Sequence, residues 1–101
     1  QPIQNLSQII DAFRVFNPSV KIVLAQIFPT TRVPTVTTQA YNASLATLAK
    51  TKTTRQSPVI TVDQFSGFNP ATGTYDGIHP TPPAEQQMAS RFFTALKRLL
   101  P

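Results

Sequence analysis

The sequence lacks most of the residues that bind metal ions. Among its 101 residues there are no cysteines, one histidine and four acidic residues. The absence of cysteine excludes a disulfide framework and a thiolate zinc site. A site made only of histidine and carboxylates would need almost every such residue in the chain. We therefore expect neither a metal ion nor any other cofactor.

Negative charge is also scarce, because nine basic residues against four acidic ones give a formal net charge of +5. A strongly basic chain invites the hypothesis of a nucleic-acid partner. Here the basic residues are scattered, apart from a small group at Lys50, Lys52 and Arg55, and none alternates with aromatic residues as a base-stacking platform requires. We expect a solvated basic surface and no nucleic-acid partner.

Long apolar runs are missing as well. No run approaches the roughly 20 residues that span a bilayer. The first residues do not have the charged start and apolar stretch of a signal peptide. We therefore expect no membrane anchor. The first residue is glutamine rather than methionine, which suggests that the natural N-terminus lies elsewhere.

The sequence does contain enough apolar residues for a folded chain. Hydrophobic residues make up 41% of it and charged residues 13%, which is typical of a globular protein and not of a disordered tail. A chain of 101 residues forms one domain at most.

Three segments have the apolar periodicity of amphipathic helices. They run from Ile3 to Phe13, from Tyr41 to Ala49 and from Met88 to Leu100. Asn17-Pro18 ends the first, Thr38 is the expected cap of the second, and Pro82-Pro83 suits the first turn of the third. Two short apolar runs that follow prolines predict strands, and the first is apolar enough to be buried on both faces. These strands are Val20 to Ile27 and Val59 to Asp63.

The resulting order, α-β-α-β-α, predicts a doubly wound α/β fold with a right-handed crossover between parallel strands. Two strands are too few for an independently stable sheet, so one strand edge and one helix face lack partners. Residues 1–101 are therefore expected to be half of a single domain. We expect the missing half to pair along a strand edge and to cover the apolar face formed by Ile3, Leu6 and Ile10.

The segment from Gln64 to Pro83 holds all three glycines, which predicts a long irregular loop with a functional role. Near its end Asp76 precedes His79, the only histidine, with Gly77 between them. Such a turn lets the carboxylate accept a hydrogen bond from one imidazole nitrogen and leaves the other as a proton acceptor. Asp76 and His79 would then be the orienting residue and the base of nucleophilic catalysis. The alternative is that Asp76 only caps a turn while His79 packs against the rim of the sheet.

These residues make the chain resemble the SGNH, or GDSL, hydrolases, and within them the secreted carbohydrate esterases of family three. The family's Asp-x-x-His-Pro block before the last helix is matched by Asp76, His79 and Pro80. The resemblance implies a flavodoxin-like, three-layer α/β/α sandwich in which His79 is the general base and Asp76 orients it. The resemblance extends upstream through the second strand, the start of the second helix and the first strand, at Asp63, Tyr41-Asn42, Lys21 to Gln26 and Asn17-Pro18.

In that family the nucleophilic serine of the Gly-Asp-Ser motif, and the glycine and asparagine of the oxyanion hole, lie in the first half of the fold. None of these blocks occurs here, and Ala84 stands where a glycine is common. The resemblance therefore implies a partner that carries the serine, either the N-terminal half of the same domain or a swapped copy. It also implies a secreted, extracellular protein whose substrate is an acetylated polysaccharide.

Other residues carry weaker chemical signals. Asp63 follows the second strand, where α/β folds place their sites, but a local hydrogen bond that anchors the loop is the favoured interpretation. Two glycosylation sequons begin at Asn5 and Asn42, and the sequence does not decide whether either is used. Three aromatic residues would either line an acyl or sugar pocket or pack at the rim, namely Phe65, Phe68 and Tyr75.

Two functions remain open at this stage. The first is a serine esterase that removes acetyl groups from a polysaccharide such as xylan, with Asp76 and His79 in this chain and the serine in its partner. The second is a catalytically incomplete binding or interaction module that uses its open sheet edge and basic surface. A companion polypeptide with a Gly-Asp-Ser motif would favour the first.

Overall fold

The computed structural model describes residues 2–101 and contains the predicted helices and strands in the predicted order, with one added helix. The α/β fold class is confirmed. None of the helices within residues 2–101 is both long and apolar enough to cross a bilayer. The elements are α1 (Pro2–Phe16), β1 (Ile22–Ala25), α2 (Thr35–Lys52), β2 (Val59–Val62), α3 (Pro70–Gly73) and α4 (Pro82–Leu99).

The sheet consists of β1 and β2, which run parallel and are joined by α2. One face of the sheet carries Leu24 and Val59. These two side chains form a buried cluster with Ile10 from α1 and with Leu48 and Ala49 from α2. α1 and α2 therefore cover the same face.

α4 covers the opposite face. Side chains alternate along a strand, so Val62 points away from the face that carries Val59, and it is buried. The side-chain amide of Gln64 donates to the backbone oxygen of Met88 in α4 at 3.0 Å. Helices therefore lie on both faces of the sheet, as a layered α/β fold requires.

The apolar stripe of α1 that we expected to meet a missing half packs within this chain. Ile10 is 2% exposed, and Ile3 and Leu6 pack against the same cluster. The expectation was wrong because α1 has apolar residues on two flanks and the sheet of this chain covers only one of them. The exposed large apolar residues of α1 are Ile9, Phe13, Val15 and Phe16.

Polar contacts fix α1 against α2. Arg14 donates from Nε to Ser57 Oγ at 2.9 Å and from Nη2 to the backbone oxygens of Lys52 and Ser57 at 2.6 and 2.8 Å. Lys52 Nζ also pairs with Asp11 Oδ1 at 2.6 Å. The flank of α1 that carries Asp11 and Arg14 therefore faces α2.

β1 is shorter than the predicted strand and is not buried on both faces. Its last residue, Ala25, is exposed, and Val23 is only half-buried. The physical reason is the position of α4, which packs on β2. The α4 side of β1, which carries Val23 and Ala25, is therefore little covered by residues 2–101.

Two helix starts also differ from the sequence interpretation. Thr38 lies inside α2 and is buried instead of capping it, because α2 already begins after Pro34, whose oxygen accepts from the Thr38 N–H at 3.3 Å. The segment predicted as irregular contains the single turn of α3. There the Asn69 side chain accepts from the Ala71 N–H at 2.9 Å, and Pro70 follows the cap. An asparagine cap followed by proline favours the start of a helix.

Candidate functional site

The loop between α3 and α4 brings Asp76 and His79 together. Gly77 has a φ of 93°, which glycine adopts without steric cost, and it turns the chain back. Asp76 Oδ1 accepts hydrogen bonds from the backbone N–H groups of Ile78 and His79 at 2.9 and 2.8 Å. Its other oxygen, Oδ2, lies 2.6 Å from His79 Nδ1. Asp76 thus caps the turn and binds the imidazole at the same time.

These contacts determine the charge of Asp76 and the orientation of the His79 ring. The backbone N–H of His79, followed by its side chain, holds the pKa of the Asp76 carboxyl well below its usual range. An ionised carboxylate pairs with a protonated Nδ1, which leaves Nε2 as the nitrogen with a free lone pair in the neutral ring. The side chain of His79 is 73% exposed, so the ring is accessible to a group from outside the loop.

Two threonines hold this loop in place. The backbone N–H of Thr31, in the connection from β1 to α2, donates to the Gly77 oxygen at 2.9 Å. A Cβ on Gly77 would lie 1.9 Å from Thr31 Oγ1, which is closer than two such atoms can approach. Thr74 Oγ1 accepts from the Gly77 N–H at 2.8 Å and donates to the Pro70 oxygen at 2.6 Å. Sequence reasoning missed both threonines, because a threonine that bonds across a loop has no periodic signal.

Asp63 has the local role expected of it. Its carboxylate accepts from the backbone N–H groups of Phe65 and Ser66 at 2.8 and 2.9 Å and from the Ser66 hydroxyl at 2.5 Å. The Ser66 hydroxyl contributes most to lowering the pKa of the Asp63 carboxyl. The prediction that Asp63 anchors the loop is confirmed.

Among residues 2–101 no serine donates a hydrogen bond to His79, whose ring contacts Asp76. The Ser66 hydroxyl is bound by Asp63, and the buried Ser57 hydroxyl donates to the Val20 oxygen at 2.6 Å. Within the same residues, no three histidine or acidic side chains converge as a metal site would require. The contact between Asp76 and His79 can supply the chemistry of an oriented base.

The three aromatic residues of the loop lie in different environments. Phe68 is nearly buried and packs against Phe28, with ring centroids 4.7 Å apart. Phe65 is half-buried, and Tyr75 is exposed next to Asp76. Rim packing therefore describes Phe68 better than a role in a ligand pocket.

The two glycosylation sequons also differ. Asn42 is 6% exposed, and its amide clamps the backbone of Ile27. Its Oδ1 accepts from the Ile27 N–H at 2.8 Å, and its Nδ2 donates to the Ile27 oxygen at 2.9 Å. A buried amide bonded in this way leaves no room for a glycan. Asn5 is exposed on α1. Of the two sequon asparagines, Asn5 is therefore the one that is accessible to a glycan.

The chain is similar to solved structures of esterases. It matches a carbohydrate esterase family 3 from Talaromyces cellulolyticus with a TM-score of 0.86 and 29% identity, over 96% of this chain and 47% of that one. It matches equally well an acetyl esterase with one serine replaced by alanine, solved with an acetate ion. The expected relation to carbohydrate esterase family 3 is confirmed at the level of structure, and the chain spans about half the length of these relatives. Comparisons with protein-family models and with curated proteins find no match.

Proposed function

We propose that this chain is the C-terminal half of an SGNH-type serine esterase domain, in which Asp76 and His79 are two members of a catalytic triad. The observation that carries the proposal is the 2.6 Å contact between Asp76 Oδ2 and His79 Nδ1. It occurs in a chain that superposes on a carbohydrate esterase over 96% of its length. The nucleophilic serine belongs to the other half of the domain.

The shape of the chain and the exposure of the site support a partial domain. The radius of gyration is 14.6 Å, whereas a compact domain of 100 residues has a radius of about 13 Å. The imidazole of His79 is largely exposed, although a base that acts in catalysis works best where water is excluded. A second half of the domain that covers the ring would complete a compact domain and would also exclude water from His79.

In the complete domain His79 acts as the general base. Its Nε2 takes the proton from the serine hydroxyl as the serine oxygen attacks the ester carbonyl carbon, and it then gives that proton to the departing alcohol. Water next attacks the acyl-serine and gives a proton to Nε2, and this proton returns to the serine oxygen as the acid leaves. Asp76 stays ionised, holds the ring in one tautomer and stabilises the imidazolium.

The substrate class that we propose is an acetyl ester on a polysaccharide such as xylan, cleaved outside the cell. One structural relative is described as a carbohydrate esterase and the other as an acetyl esterase with an acetate ion, which supports an acetylated carbohydrate. The exposed sequon at Asn5 is compatible with secretion. A serine triad of this kind works without a cofactor.

Replacing His79 tests the proposal most directly. With both halves of the domain present, His79→Ala should lower the turnover of p-nitrophenyl acetate and of acetylated xylan by about 10²–10⁴-fold or more, the contribution of a general base. Gln86→Ala, on the exposed surface of α4, is the control and should leave turnover unchanged. If His79→Ala keeps more than about a tenth of the turnover with an unchanged melting temperature, the catalytic role is wrong and an interaction module is the better description.

A further inference from the structure

A polar groove runs along the outer edge of β2, on the side of that strand that faces away from β1. Its volume is about 570 Å³. One wall is β2 at Thr61 and Val62, and the other wall is the flank of α4 that carries Ser90, Thr94 and Arg98. The groove therefore lies between the second strand and the last helix.

Two smaller hollows extend this groove at its two ends. One, of about 240 Å³, shares Thr61 and Arg98 with it and reaches α2 at Lys50 and Thr53. The other, of about 280 Å³, shares Gln87 with it. From Gln87 to Arg98 the lining follows about 16 Å of helix. The three hollows form one elongated path, here called the β2 groove.

The β2 groove ends beside the loop that carries the candidate site. The hollow at that end is lined by Gly73 and Thr81. The Thr81 N–H donates to the Gly73 oxygen at 2.9 Å, and Asp76 and His79 lie between these two residues in the chain. A long ligand in the groove would therefore lead from α2 to the base of the catalytic loop.

The charge of the β2 groove is positive. Arg91, Arg98 and Lys50 line it, and Asp63 is its acidic residue. The Asp63 carboxylate is already bound by the Ser66 hydroxyl and by two backbone N–H groups. Within residues 2–101 neither Arg98 nor Lys50 forms a salt bridge. These two cations are therefore available to an anionic ligand.

The other side chains of the groove suit a sugar polymer. Thr61, Ser90 and Thr94 supply hydroxyl groups and Gln87 supplies an amide, and such groups both donate and accept hydrogen bonds. The residues that line the main groove and the hollow at α2 include no aromatic side chain, on which unpaired bases of a nucleic acid would stack. The lining therefore favours a polymer with hydroxyl and carboxylate groups over a nucleic acid.

A peptide strand fits this edge less well. Thr53 Oγ1 accepts the hydrogen bond of the Val59 N–H at 2.9 Å, and Arg91 Nη1 donates to the Asp63 oxygen at 2.8 Å. A strand that paired with β2 would need these same backbone groups. Natural sheets protect a terminal edge with polar and charged side chains of this kind. The space beside the edge is therefore left to a ligand that does not pair as a strand.

We infer that the β2 groove binds a segment of an acidic polysaccharide, whose carboxylate groups meet Arg98 and Lys50. The planar fork of a guanidinium matches the geometry of a carboxylate, and a lysine ammonium adds a second, mobile charge. The choice of a polysaccharide over other polyanions rests on the proposed function, in which the substrate is an acetylated polysaccharide. The groove holds one part of the polymer while His79 serves an acetyl group on another part.

Binding of deacetylated glucuronoxylan, a xylan that carries uronate groups, tests the inference with both halves of the domain present. The matched probe is the same polymer with its carboxyl groups reduced to alcohols. Retardation in native gels that contain either polymer measures the affinity. The carboxylated polymer should bind about three- to tenfold more tightly, and added salt should remove the difference, because exposed ion pairs are screened.

Two double variants locate the binding site. Arg98→Gln with Lys50→Gln removes the two available charges of the groove and should abolish the preference for the carboxylated polymer. Arg55→Gln with Lys21→Gln removes the same total charge from exposed residues that do not line the groove, and it should keep the preference. Thermal unfolding checks that both variants remain folded.

The inference is overturned if the carboxylated polymer binds no more tightly than the reduced one, or if the two double variants act alike. Single-stranded DNA made of thymidines is the competing polyanion. The inference is also overturned if this DNA binds more tightly than glucuronoxylan and the variant of Arg98 and Lys50 releases it, because the occupant is then a nucleic acid.

The polymer carries no acetyl groups, so the readout is binding and not hydrolysis. Turnover that depends on His79, without binding that depends on carboxylate groups, would overturn the role of the groove and leave the esterase proposal in place. Binding through Arg98 and Lys50 without turnover that depends on His79 would contradict the esterase proposal and leave the groove in place.

Discussion

The two outer edges of this short sheet show how the same kind of strand can end a domain or continue it. Beside β2, a threonine hydroxyl and an arginine guanidinium bind the outward backbone groups. Beside β1, residues 22–25 are all apolar, and the helices on both faces expose phenylalanine and leucine. Polar side chains discourage pairing with another strand, whereas a large exposed apolar patch favours it. The contrast argues that β2 is a terminal strand and that β1 is an internal one.

The largest expected change in stability distinguishes the two flanks of α1, the one that is buried in this chain and the one that is exposed beside β1. Ile10 is 2% exposed in the buried cluster, so Ile10→Ala should lower the free energy of unfolding of the chain by about 2–5 kcal/mol. Phe13 is 55% exposed, so Phe13→Ala should change it by less than about 0.5 kcal/mol. Urea unfolding followed by circular dichroism measures both.

The same pair sharpens the comparison when the companion half is present. Where the other half of the domain covers this flank of α1, Phe13→Ala should weaken the complex, because the ring is then buried at the contact. Equal losses for the two variants in the chain alone would mean that the Phe13 flank already packs within the chain. That flank of α1 would in that case not be open to a partner.

The two flanks of α1 also explain how far the sequence predicted the fold. Periodicity identified α1, but Ile9 and Ile10 are adjacent, and the pattern does not say which flank packs on the chain's own sheet. That choice depends on contacts that Arg14 makes with residues far along the chain, Lys52 and Ser57. Such long-range contacts have no signature in a local pattern.

The site was more predictable than the packing because its central contact is local. Asp76 and His79 are three residues apart with a glycine between them, and this spacing predicted the contact that the structure contains. Thr31 comes from another connection and could not be inferred. The turn of α3 was missed although Asn69-Pro70 is a signal for a helix start, because a single turn has no periodicity.

An intermediate effect is expected when the β2 edge is opened. Arg91 donates to the backbone oxygens of Asp63 and Ser66 at 2.8 and 2.6 Å. Arg91→Met keeps most of the apolar stem and removes both donors. Hydrogen bonds to charged groups contribute about 1.5–3 kcal/mol, and partial exposure reduces this, so the free energy of unfolding should fall by about 1–2 kcal/mol.

Arg91→Lys is the matched variant, since it keeps the charge but loses the forked geometry. Its stability should lie between those of the unaltered chain and Arg91→Met in thermal unfolding. If neither substitution changes the melting temperature, the Arg91 contacts do not stabilise the β2 edge.

The smallest effect is a dependence of stability on pH at the end of β2. The Asp63 carboxylate builds the turn whose backbone oxygens accept from Arg91, and its pKa lies below the usual value of 3.8. Residues 22–25 of β1 contain no titratable group. As the pH falls below about 4, the unfolded chain takes up a proton at Asp63 more readily than the folded chain does. The stabilisation that is present above this pH is therefore lost as the pH falls through the pKa of the folded state.

Asp63→Asn separates this contribution from that of Asp76, whose pKa is also lowered. The variant should be less stable than the unaltered chain at about pH 6 and should lose less stability between about pH 5 and pH 3. Asp76→Asn is the matched variant. It removes the other carboxyl with a lowered pKa, and the loop that carries Asp76 does not contact Arg91. Urea unfolding at several pH values measures both slopes. A slope for Asp63→Asn as steep as that of the unaltered chain would show that ionised Asp63 does not stabilise the turn beside β2.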